Sequence, residues 1–165
     1  MNGHCGKVVF TVLLAALLAG CAVFQNIQPG RDTGADIRTR FGPPAMEWQE
    51  ADGATNLVYP FGPNGLETWM VKLDASGRVA AVEQVLQMST GFKRIQPGMN
   101  REQVTRVLGP HFYETDFARR AEIVWDYRYR DDWLQIGRFH VVFDAQGVVK
   151  QTLTTREFLN PGRGF

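Results

Sequence analysis

The chain has 165 residues, 44% of them hydrophobic and 21% charged, with 18 Lys and Arg against 17 Asp and Glu. A net charge of +1 excludes long-range electrostatic capture of nucleic acid or of an anionic bilayer. Both cysteines, Cys5 and Cys21, lie near the amino terminus, so the remainder has no disulfide, thiol nucleophile or cysteine metal site.

The first element is a leader. Lys7 precedes the run Val8–Leu18, whose eleven residues are apolar except Thr11. A bilayer span needs roughly 20 apolar residues. A secretory h-region needs about 7–15, followed by small residues at the cleavage point. Leu18-Ala19-Gly20-Cys21 supplies those residues and reads as a lipobox. Cleavage is expected between Gly20 and Cys21, with residues 1–20 as signal peptide and acyl chains, palmitate among them, on Cys21. Each buried CH₂ contributes about 0.8 kcal/mol, and two or more chains anchor stably. Ala22 follows; likeness to Gram-negative lipoproteins implies export to the outer membrane, facing the periplasm. The body left after cleavage can bury roughly 68% of its unfolded surface, enough for a proper core.

Residues 21–26 read as the lipidated cysteine and a short tether. Ile27-Gln28-Pro29-Gly30 then opens a helix capped by Asp32 or Thr33, with Ile37 and Phe41 inward and Gly42-Pro43-Pro44 ending it. Leu57, Tyr59 and Phe61 alternate along a strand, and Trp69, Val71 and Leu73 along another. Asp74-Ala75-Ser76-Gly77 turns the chain into a return strand centred on Val82. The same order recurs. Ile95-Gln96-Pro97-Gly98 repeats the first motif, Asn100 and Gln103 form a capping box, and Val104, Val107 and Leu108 make the stripe that Gly109-Pro110 stops. Ile123, Trp125, Tyr127 and Tyr129 alternate, then Phe139, Val141 and Phe143 lead to Asp144-Ala145-Gln146-Gly147.

The fold expected is α+β. Two tandem units, 27–90 and 91–156, each comprise a helix and three antiparallel strands, and together they share one sheet of about six strands. Ser89–Arg94 is the linker, and residues 157–165 are a loose tail.

From Ile95 through Gly109-Pro110, then Trp125, Tyr127, Phe143, Asp144 and Gly147, the chain resembles the SmpA/OmlA family of outer-membrane lipoproteins. The first unit matches only in outline, Gly30-Arg31-Asp32 standing for the Gly-Met-Thr helix start and Leu57 for the Trp. Two units on one sheet resemble the β-lactamase inhibitory proteins. The motif residues are turn and core formers, so the resemblance implies a fold more firmly than a function.

Chemistry-bearing residues are sparse. His140 reads as a solvent-facing strand residue. His111 with Glu114 and Asp116 lacks the further ligands of a zinc site. Asp74 and Asp144 are turn residues rather than calcium ligands. There is no Gly-x-Ser-x-Gly elbow, and Gly162-Arg163-Gly164 is too poor for a phosphate loop. No catalytic residue, metal or cofactor is therefore expected.

The aromatic residues are the better lead. Trp69, Trp125, Tyr127 and Phe143 read as core. Trp48, Phe112, Tyr113 and Trp133 fall in loops or at strand ends. Phe112, Tyr113, Arg128, Arg130 and Trp133 have the composition of an interface hot spot and form the candidate partner surface; alternatively these loops cover the edge of the core. The preferred function is a membrane-anchored, non-enzymatic lipoprotein that binds envelope proteins, β-barrel assembly components among them. The alternative is an anchored periplasmic enzyme inhibitor acting through a concave sheet face.

Overall fold

The computed structural model describes residues 24–62 and 65–157. The signal peptide, the cleavage point and Cys21 lie outside the described residues, as do residues 158–165 of the expected tail. Among the described residues, no helix is long and apolar enough to cross a membrane.

Two short helices start by the same device. Helix α1 (Gly34–Phe41) is capped by Thr33, whose hydroxyl accepts from the Asp36 amide at 3.3 Å while the Asp36 carboxylate accepts from the Thr33 amide at 2.9 Å. Helix α2 (Arg101–Leu108) repeats this reciprocal box with Asn100 and Gln103, at 2.9 and 2.8 Å. Of the two caps allowed by the sequence, Thr33 is used. Asp32 instead accepts from the Gln28 amide and pairs with Arg40. Each helix ends at a glycine with positive φ, Gly42 (79°) and Gly109 (76°).

Each helix is followed by four antiparallel strands, not three. The first sheet has β1 (Met46–Gln49), β2 (Thr55–Phe61), β3 (Glu67–Leu73) and β4 (Val79–Gln84) in sequential order. The second has β5 (Tyr113–Phe117), β6 (Glu122–Arg130), β7 (Ile136–Phe143) and β8 (Val149–Arg156). The edge strands β1 and β5 are short and polar, and main-chain pairing to β2 and β6 creates them rather than burial. Both sheets carry a register shift at matching places, Lys72/Leu73 and Val142/Phe143. Tyr59 and Tyr127 each donate a hydroxyl hydrogen bond to the carbonyl of the glycine that ends the helix, at 3.1 and 3.4 Å.

The expected single shared sheet is not formed. The two sheets are separate, and α2 lies between them. One side of α2 sends Val104 and Leu108, both fully buried, into a core with Trp125, Tyr127, Val141 and Phe143 of the second sheet. Its other side meets the outer face of the first sheet. Arg106 reaches Glu50 at 3.7 Å and stacks over Trp48 at 5.6 Å, and Met70 of β3 packs into the second core. Val58, fully buried, faces this contact. The physical reason is coverage: a sheet exposing Val58 and Met70 outward is better buried under a helix than extended edge to edge.

Packing also shifts the boundaries. Phe24, expected within the tether, is instead buried in the packed body, stacked on Phe41 at 4.1 Å and on Trp69 at 5.3 Å. Phe92 takes the same place in the second half against Phe139, at 4.1 Å. The expected linker 89–94 therefore carries a core residue. Glu157, expected in the loose tail, is fixed by Arg128 and Arg138 at 2.8 and 3.1 Å.

Candidate functional site

Four of the five residues of the expected partner surface are exposed. Phe112, immediately before β5, and Tyr113, its first residue, are 48% and 58% exposed. Arg130 ends β6 in solvent. Trp133, in the connection between β6 and β7, is 81% exposed. The fifth residue departs from expectation: Arg128 is buried, gripped by Glu157 and lying 5.1 Å from the centre of the Phe112 ring. Alternation along β6 assigned its face but not the Glu157 and Phe112 side chains that close over it. Arg128 thus underpins Phe112 rather than reaching a partner itself.

Beside Phe112 a cleft of about 190 Å³ separates the two halves. Pro60, Gly65, Thr68 and Leu86 line it from the first half, and Pro110, His111, Phe112, Tyr127 and Arg128 from the second. His111 stacks on Trp125 at 4.4 Å, and the Trp125 indole donates to Glu114 at 2.5 Å. Burial holds the His111 imidazole below its usual range, outweighing the pull of the Glu114 carboxylate. Burial likewise raises the Tyr127 phenol far above its ordinary value. These groups are neutral wall, suited to apolar side chains more than to proton transfer.

Above the cleft, the outer face of the second sheet carries a closed polar network. Asp126 accepts from Arg138 at 3.3 Å and contacts His140 Nδ1 at 2.6 Å, while His140 Nε2 lies 2.8 Å from the Thr155 hydroxyl. His140 was expected to face solvent; its side chain is only 15% exposed, because Asp126 and Thr155 flank it across the strands. Burial raises the Glu157 carboxyl pKa, but hydrogen bonds from Arg128 and Arg138 outweigh that and leave it below its usual value. Asp126, His140 and Thr155 stand in the order of a general-base relay. The second oxygen of Asp126 is committed to Arg138, and Thr155 does not line the cleft, so the arrangement balances charge rather than presenting a nucleophile.

Among the described residues, no three His, Cys, Asp or Glu side chains group as metal ligands. Asp74 and Asp144 each accept from two amides of their own turn. Asp131 does the same, accepting from the Trp133 and Gln135 amides at 2.9 and 2.8 Å. Missed from the sequence beside Trp133 is Leu134, 72% exposed. Its signal was available, since Asp131 followed by Trp133-Leu134 and Gln135 places two large apolar residues inside a turn.

Residues 89–152 match the family described as the outer membrane protein assembly factor BamE domain. Isoleucine–tRNA ligases of Burkholderia vietnamiensis and Burkholderia ambifaria are each 33% identical to this chain over 86 residues, which cover 52% of the chain and 8% of the ligase. The chain thus spans a small fraction of those relatives' length. Among solved structures, a DUF4309 family protein of Bacillus subtilis aligns over 81% of this chain and 84% of its own, at 15% identity and a TM-score of 0.32. An extracellular SCP-domain protein of Bacillus anthracis aligns over 83% and 52%, at 12% identity and a TM-score of 0.30.

Proposed function

We propose that this protein is a lipid-anchored, non-enzymatic component of the outer membrane that binds other envelope proteins during assembly or upkeep of that membrane. The observation that carries the reading is the BamE-domain match over residues 89–152, which contains Phe112, Tyr113, Arg130 and Trp133. The BamE family is one of outer-membrane assembly factors, and its members work by contact with other envelope proteins rather than by catalysis. We read residues 24–88 as a diverged unit of the same plan, on the shared element order, capping boxes and tyrosine–glycine contacts. Acyl chains on Cys21 would hold the body at the bilayer, where its partners are.

The experiment is Cys21→Ala in the native host. The variant is expected in the soluble periplasmic fraction without palmitate label, and the native protein in the outer membrane with it. Affinity capture from solubilised membranes should return β-barrel assembly components. A native protein that carries no label and keeps its leader by mass spectrometry overturns the anchored reading. Capture of a single soluble hydrolase overturns the assembly reading.

A further inference from the structure

We propose that the tip of the β6–β7 hairpin, Trp133-Leu134, is a second membrane contact, inserting at the headgroup boundary of the bilayer that holds Cys21. The proposal rests on the anchored reading above and adds a surface to it.

The tip is built to stay exposed. The Asp131 amide donates to the Gln135 carbonyl at 2.9 Å, the Leu134 amide donates to the Asp131 carbonyl at 2.9 Å, and the Asp131 carboxylate holds two further amides. Five residues are thereby locked in a turn whose two apolar side chains, Trp133 and Leu134, are 81% and 72% exposed. Leu134 sits at φ 60°, a conformation that glycine or asparagine would adopt at lower cost. A strained leucine that covers no core is unexplained by folding, and such strain gathers where a surface is used. An indole has an apolar body and one N–H donor, the chemistry that settles at a membrane–water boundary. Arg130, exposed at the end of β6, would supply a guanidinium to lipid phosphates at that boundary.

The choice of a lipid surface over a protein groove comes from where the chain enters the fold. Phe24 lies 5.2 Å from Phe61, the last residue of β2. The connection after Phe61 contains Gly65, which lines the same cleft as Phe112 and Arg128 near the end of β6. The first packed residue thus lies at the β2 end of the first sheet, and the connection that follows borders the strand β6 that runs on into the hairpin tip. Cys21 precedes Phe24 by three residues, a reach of at most ~11 Å. A body tethered that closely at this end presents its hairpin tip to the same surface, and the tether supplies the high effective concentration that a two-residue contact needs.

The test uses protein purified from membranes and reconstituted into protein-free vesicles of phosphatidylethanolamine and phosphatidylglycerol, with lipids brominated just below the headgroup. Indole fluorescence of the native protein, which has four tryptophans, is expected to be quenched, and Trp133→Ala to remove most of that quenching. Leu134→Asn should weaken quenching several-fold without lowering Tm, which separates the surface role from folding. Absent quenching, or quenching unchanged in Trp133→Ala, overturns the proposal. So does loss of protein capture in Trp133→Ala without lipid quenching. Mass spectrometry of the same samples separates the two readings: quenching with an unacylated Cys21 keeps the tip and discards the anchor, and the reverse discards the tip alone.

Discussion

His111 carries the residue-scale prediction, because its imidazole is neutral wall between the two halves. Burial, chiefly, holds its pKa below the unfolded value of about 6.5. The unfolded chain thus takes up this proton at a higher pH than the folded one does. Folding stability is intact above that value and falls as the pH drops below it toward the folded pKa. His111→Phe keeps the stack on Trp125 and removes the titration. Its urea midpoint should therefore decline less between pH 7 and pH 5 than that of the native protein. Equal slopes would place the pH dependence elsewhere. At this scale the sequence was most legible where a residue acts on its own neighbours. Asn100 with Gln103, and Asp74 and Asp144 with their turns, were all readable from spacing. It was least legible across strands: Arg128 and His140 were given the correct face, yet their burial depends on Glu157 and Thr155, which lie far along the chain.

At the scale of elements, the helix-ending glycines Gly42 and Gly109 form a matched pair. Their φ angles are 79° and 76°, so alanine is strained alike at both. A Cβ at position 42 would meet nothing within 4 Å. At position 109 it would lie 2.9 Å from both Thr68 Cγ2 and Val58 Cγ1 on the first sheet. Gly109→Ala should therefore cost about 1–3 kcal/mol more than Gly42→Ala in equilibrium unfolding, the usual overpacking penalty. That difference reads the contact between the halves directly; equal costs would mean that α2 does not press on the first sheet. Helices and inner strands were visible in the sequence through capping boxes and alternation. The edge strands were not, because Tyr113–Phe117 and Met46–Gln49 gain structure from one paired neighbour and have little apolar pattern of their own. The layering was hidden for a related reason. Val58 and Met70 look like minor exceptions to alternation until a second helix is seen to cover them.

For the whole molecule, the order of layers is α1, first sheet, α2, second sheet, and the chemistry changes at the end of the stack. In the first sheet the outward cross-strand pairs are Val58 with Met70 and Pro60 with Thr68. Asp126 with His140 and Arg128 with Arg138 hold the corresponding registers of the second. The apolar set lies against the second half. The charged set lies on the sheet face away from α2, with Arg128 also bordering the cleft between the halves, much as polar terminal units cap stacked repeats. Replacing Asp126→Val and His140→Met together would give the end face the pair found at the internal junction, while Arg138 keeps Glu157 as its partner. An exposed apolar face complementary to a helix elsewhere on the molecule invites head-to-tail association that does not close. The double variant should accordingly show a concentration-dependent rise in mass by light scattering beyond that of the native body. A double variant without that rise would show that polarity on this face is not what limits the stack to two sheets.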